Sequence, residues 1–229
     1  MTHILSIETS TGICSVAVQT NGQVVSSRED NRRNSHSANI TLFIDEVVKD
    51  AGLSLSQIDA VAVGKGPGSY TGLRIGVSAA KGLCYALNKP LIALNSLQTM
   101  ACHPALRQYT AADTLLCPMI DARRMEVYCA LYNPMLEVVK DTEALIIDST
   151  SFGTELAEHQ IVFFGDGADK CKDTIQHQNA VFVPDIYPSA LHNGALALDA
   201  YKQQRFEDVA YFEPFYLKEF VGTVAKQPL

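Results

Sequence analysis

No run of lysine and arginine longer than a pair occurs in this 229-residue chain, whose formal net charge is −7. A surface of that sign repels a phosphate backbone, so nucleic-acid binding by the chain alone is not expected. No C-x-x-C pair joins the six cysteines, Cys14, Cys84, Cys102, Cys117, Cys129 and Cys171. That pattern suits reduced, buried thiols in the cytosol better than a zinc site or a disulfide framework. The six histidines never fall three or four residues apart, which removes the H-x-x-x-H and H-E-x-x-H ligand pairs. No G-x-S-x-G elbow is present, so a serine hydrolase has no support. The N-terminus has no basic n-region and nowhere do 18 apolar residues follow one another. A soluble, cytoplasmic chain without targeting or membrane segments is the expectation.

Six glycines do crowd the 23 residues of "VAVGKGPGSYTGLRIGVSAAKGL", Val61 to Leu83. The stretch fits neither standard phosphate loop. After Gly66 a Walker A sequence needs glycine and lysine where Thr71 and Gly72 stand, and the dinucleotide pattern needs glycine in place of Thr71. What remains is a strand, a flexible loop and a helix from Tyr70 to Leu87 whose N-terminus, capped by Ser69 or Thr71, could hold an anion. Gly72 and Gly76 share one face of that helix with Ala79, Ala80 and Leu83. Glycine inside a helix costs roughly 0.5–1 kcal/mol against alanine, so two on one face imply the close approach of another backbone, from this chain or from another subunit.

Around this stretch the periodicities predict strands Ile4 to Glu8, Ile13 to Thr20 and Gln23 to Glu29, with "TNGQ" as a hairpin turn. A helix follows from Ser37 to Ala51, then the strand "IDAVAVG", the Tyr70–Leu87 helix, the strand "PLIALN" and a short helix from Ser96 to about Ala101. "LLCPMIDARRMEVYCALYN" then repeats strand, turn, strand: an offset of 113 residues places Glu8 on Asp121, Ala17 on Ala130 and Val18 on Leu131. "VFFGDG", ending at Gly167, echoes "VAVGKG", ending at Gly66, each an apolar strand followed by Gly-x-Gly and a helix. Two echoes in one order suggest a duplicated α/β unit. The segment Pro188 to Gln204 reads as a helix with apolar Ala190, Leu191, Ala195, Leu198 and Tyr201. Glu8 and Asp121, each ending a strand before a turn, could orient a metal or water, or be solvated turn acids.

In order and spacing, "ILSIETSTGICSVAV", "AVGKGPGSYTGLRIGVSAAKGL", "PLIALNSLQTMA" and "IDARRMEVYCALY" resemble the bacterial TsaB (YeaZ) family of the actin-like ATPase superfamily, closely over the first 132 residues and weakly beyond. The resemblance implies an α/β fold of two duplicated ribonuclease-H-like lobes with mixed sheets flanked by helices. The first lobe would run from residue 1 to 103, the second from 104 to 188, with helix 189–204 returning to the first and a tail from 205 to 229. It also implies a non-catalytic scaffold for the transferase TsaD, acting with the ATPase TsaE to form N6-threonylcarbamoyladenosine in tRNAs that read codons starting with A. TsaC or its relative supplies threonylcarbamoyl-adenylate. The chain alone would form a homodimer and bind no cofactor; the assembled complex would use ATP, and tRNA would be met only through the complex. The paralogue's histidine pair falls here on Ser96 and Met100, a poor ligand and a soft one for such a metal.

A partner surface is expected on Ile40, Leu42, Ile44, Val47, Gly72, Leu73, Gly76, Val77 and Ala80. A candidate nucleotide-proximal set comprises Glu8, Thr9, Ser10, Asp121, Gly165 and Asp166. A small-molecule kinase of the same superfamily, a self-standing metallopeptidase and a homodimeric binding protein are the other readings.

Overall fold

A computed structural model describes residues 1–32 and 36–218. The opening meander is β1 (His3–Glu8), β2 (Cys14–Thr20) and β3 (Gln23–Asp30), antiparallel throughout. Helix α1 (His36–Asp50) crosses to β4 (Ala60–Gly66), and α2 (Tyr70–Leu87) crosses to β5 (Leu91–Asn95). Both β4 and β5 add in parallel, giving a five-stranded sheet in the order β3-β2-β1-β4-β5. Burial on both faces explains the near-continuous apolar runs of β1 and β4, because α1 and α2 cover one face and a later helix covers the other.

The second half repeats this plan. Strands β6 (Thr114–Asp121), β7 (Glu126–Tyr132) and β8 (Val138–Ile146) form a meander, after which α4 (Gly153–Glu158), β9 (Gln160–Phe164) and β10 (Ala180–Val183) complete a sheet in the order β8-β7-β6-β9-β10. The two sheets share one connectivity, so the duplication is real. The 113-residue offset holds on β6 but slips on β7: Ser6 faces Ala17, whereas Met119 faces Cys129, because the turn after Asp121, which pairs with Val127, is one residue shorter than the turn after Glu8, which pairs with Ser15. One residue fewer in the turn moves β7 by one position from strict superposition.

Two expectations are corrected here. The helix after "VFFGDG" is reduced to a single 3-10 turn, Asp169–Cys171, and the last helix, α5 (Gly194–Lys202), starts later than Pro188. Of its buried residues, Ala197 and Ala200 pack on Ile4, Ala60, Ala62, Ile92 and Leu94 of the first sheet and Gly194 lies against Gly22, while Ala195 is exposed.

The lobes meet through α3 (Ser96–Ala101), which follows β5 of the first sheet but sets Leu97, Met100 and Ala101 against Leu116, Ile120 and Ala130 of the second. This short helix therefore continues from the first sheet but packs its apolar residues into the core of the second. All six cysteines are free and five are buried, and loss of water pushes the Cys14 and Cys84 thiols up to about 11. Beyond α5 the chain returns over the first lobe, where Val209 and Phe212 pack on the core between sheet and helices, and then runs to Lys218 beside the second lobe. The expected tail extends past residue 218, outside the described residues.

Candidate site in the inter-lobe cleft

The β1–β2 turn carries Thr9 to Gly12, and the glycine-rich stretch packs directly on it. A side chain at Gly68 or Gly72 would overlap the backbone oxygen of Ser10 or Thr9, and one at Gly76 would overlap Thr9 Oγ1. Thr9 Oγ1 donates to Gly72 O at 2.8 Å, and the Ser69 amide donates to Ser10 O at 2.6 Å. Ser69 Oγ in turn caps α2 by accepting from the Gly72 amide at 3.2 Å. The backbone that the helix glycines admit is therefore the chain's own first turn, which corrects the idea that they open a seam for another subunit. Burial corrects the rest of the expected partner surface. Ile40, Ile44, Val47, Gly72, Leu73, Gly76, Val77 and Ala80 all lie inside the first lobe, and only Leu42, 51% exposed, faces outward.

Glu8 is neither a solvated turn acid nor a cleft residue. It is fully buried, with Oε1 accepting from the Thr9 and Ser10 amides at 2.8 Å each and Oε2 accepting from Ser96 Oγ at 3.0 Å. Loss of water raises its pKa above the usual carboxylate range, and the hydrogen bonds from Ser10, Ser96 and Thr9 offset part of that rise. Gly64 leaves room for this carboxylate, since a side chain there would overlap Glu8 Oε2. Met100 is completely buried, and Gly165, at φ +105°, lies against its sulfur. A hydroxyl committed to Glu8 and a thioether sealed in the inter-lobe core do not fit a divalent metal. Among the described residues no three His, Cys, Asp or Glu side chains cluster with metal-ligand spacing.

Between the lobes lies a cleft of about 750 Å³. Ser10, Asp121 and Asp166 of the nucleotide-proximal set line it, while Glu8, Thr9 and Gly165 do not. Asp121 ends β6, and its amide donates to Asp166 Oδ1 at 3.1 Å. Its carboxylate accepts from the Arg123 amide at 3.0 Å and pairs with Lys170, whose ammonium also donates to the carbonyls of Arg124 and Glu126. The lysine neutralises the acid and ties three points of the β6–β7 hairpin to the segment after β9. Asp166 is held above its usual range, chiefly because neighbouring atoms displace water from its carboxyl, with the nearby Asp121 charge adding to the effect. Asp121 is thus paired with a cation, whereas Asp166 accepts from the Asp121 amide.

Other cleft residues escaped the sequence reading. His36 at the start of α1 donates from Nε2 to Thr11 O at 3.0 Å, and Tyr216 sets its ring 4.9 Å from that of Tyr70. The aromatic tail "FEPFYLK" was the available signal, but nothing in it said which surface it would cover.

The description "TsaD: tRNA N6-adenosine threonylcarbamoyltransferase" belongs to the family model that matches residues 23–212. The chain is 30% identical to the tRNA threonylcarbamoyladenosine biosynthesis protein TsaB of Haemophilus influenzae, over 95% of this chain and 94% of that one. It is 32% identical to the TsaB of Bacillus subtilis, over 76% and 75%. Among solved structures it is similar to YeaZ from Pseudomonas aeruginosa, with a TM-score of 0.80 and 27% identity over 95% of this chain and 100% of that one. With the duplicated sheets and these relatives in agreement, the chain belongs to the TsaB (YeaZ) family of tRNA threonylcarbamoyladenosine biosynthesis proteins.

Proposed function

We propose that this chain is the non-catalytic scaffold of a tRNA threonylcarbamoyl-transferring complex, activating a TsaD-type transferase together with a TsaE-type ATPase in the cytoplasm. The reading is carried by Ser96 and Met100: where the catalytic paralogue has its histidine pair, this chain has a hydroxyl bonded to a buried glutamate and a thioether inside the core. The neutralised Asp121 supports the same reading, because a kinase of this architecture needs free acids in the cleft for magnesium. ATP is then consumed by the assembled complex, and tRNA reaches this chain only through it, in keeping with the net charge of −7.

With the inward faces of α1 and α2 used by the core, the partner surface is assigned to their outward edges. Leu42 is 51% exposed and Tyr85 86% exposed, large apolar groups on helices that otherwise present polar side chains. The same edge serves a second copy of this chain when the transferase is absent. Leu42→Arg combined with Tyr85→Glu is expected to keep the unfolding midpoint, since exposed substitutions cost within about 0.5 kcal/mol, while co-purification with the transferase falls about tenfold or more. Undiminished co-purification with normal stability would place the contact elsewhere.

A further inference from the structure

The segment after α5 touches both lobes. Lys81 Nζ on α2 donates to Ala210 O at 3.2 Å and Phe212 O at 2.9 Å, and the Phe215 amide donates to Lys65 O at 2.7 Å. Phe215 O also passes so close to Gly66, at φ +101°, that a side chain there would crowd it. Tyr216 then lies on Tyr70 at the start of α2, and Arg74 sits 4.9 Å above the same Tyr70 ring. Two residues later Lys218 crosses to the second lobe, where it pairs with Glu126 of β7 and stands 5.9 Å from the Tyr128 ring. Phe215 to Lys218 form part of the wall of the inter-lobe cleft.

The two anchorages differ in kind. On the first lobe the segment is held by the partly buried Val209 and Phe212, three hydrogen bonds to main-chain carbonyls and the tilted Tyr70–Tyr216 ring contact. On the second it is held by a partly exposed ion pair and a distant cation–ring contact, the sort of attachment that salt screens and that contributes little on its own. We propose that Val209–Lys218 is a releasable clasp: it fastens the lobes over the cleft, and detachment of Lys218 from Glu126 lets the lobes part and opens the cleft wall formed by Phe215 and Tyr216. The lobes stay joined through α3, which follows β5 of the first sheet and packs in the core of the second.

The test is hydrogen exchange followed by mass spectrometry on the full-length chain. It monitors the peptide containing the Phe215 amide and the β6–β7 hairpin at Arg123. Lys218→Glu and Glu126→Lys each place like charges together and are expected to speed exchange in both peptides about fivefold, and high salt is expected to speed the wild type in the same direction. The double exchange Lys218→Glu/Glu126→Lys restores an opposite pair and should return both peptides to within about twofold of wild type. Lys81→Met, which loosens only the first-lobe end, should speed the Phe215 peptide more than the hairpin. If the ion-pair variants leave both peptides unchanged, or if only Lys81→Met has an effect, the segment is a decoration of the first lobe and the clasp is refuted. A global rise in exchange across β1 and β6 would mark unfolding; the rescue arm then decides, because a clasp requires the double variant to recover.

Discussion

Gly76→Arg is expected to abolish folding rather than merely to detach a partner, and Gly72→Ala to cost about 2–3 kcal/mol despite alanine's higher helix propensity. The methyl group added at Gly72 would overlap Thr9 O, a main-chain atom whose own residue is anchored through its amide to Glu8. Helix propensity returns at most about 1 kcal/mol, so the overlap determines the sign. Arginine at Gly76 adds an unpaired charge to the overlap with Thr9 Oγ1, in a position the first lobe seals from water. Several kcal/mol of desolvation is set against a total stability of about 5–15 kcal/mol. A cycle separates the two glycines: Thr9→Ala removes the atom that Gly76→Ala strikes and should recover part of its loss, but it leaves Thr9 O in place and should not rescue Gly72→Ala. Denaturant unfolding monitored by circular dichroism checks each step. A Gly76→Arg chain that folds normally and only fails to bind another protein would mean the glycine faces outward.

Glu8→Ala is expected to cost about 3–5 kcal/mol, whereas Glu8→Gln should be close to neutral near pH 5 and stabilising near pH 8. Alanine strands two main-chain amides and the Ser96 hydroxyl in a fully buried place, each without water to replace the carboxylate. Glutamine keeps an oxygen for the two amides and offers an N–H to Ser96 Oγ. The pH dependence follows from the raised pKa. Because the folded value lies above the unfolded value of 4.5, the folded chain holds its proton more tightly, so this group's contribution is complete below about 4.5 and is lost as pH rises through the folded value. Urea midpoints near pH 5 and pH 8 test this: the wild type should lose stability across that interval relative to Glu8→Gln, and parallel curves would refute the raised pKa.

These two sites also mark what the sequence could and could not disclose. Strand alternation, the Tyr70–Leu87 pattern and the repeated hairpin were legible because each depends on local period and turn chemistry. Glycines 72 and 76 announced a close neighbour, but not its identity, since Thr9 comes near only after β1 and β4 pair. Glu8 looked like a turn acid because its burial is created by Gly64 and Ser96, which are 56 and 88 residues away. Strands β8 and β10 left little trace: β8 mixes Lys140, Asp141 and Glu143 into an edge with exposed Val138 and Val139, and β10 is four residues long. The partner surface was misplaced for a similar reason, as apolar residues at helical spacing mark the side that is buried, and here the side that is buried is the core.

The most direct measurement is reconstitution of threonylcarbamoyladenosine formation from a TsaD-type transferase, a TsaE-type ATPase, threonylcarbamoyl-adenylate, ATP and tRNA, with this chain present, omitted, or replaced by Leu42→Arg/Tyr85→Glu. A scaffold role requires modified nucleoside only when the wild-type chain is present, a fall toward background with the surface variant, and no modification by this chain without the transferase. Full activity in its absence, or turnover of the adenylate by this chain alone, would contradict it.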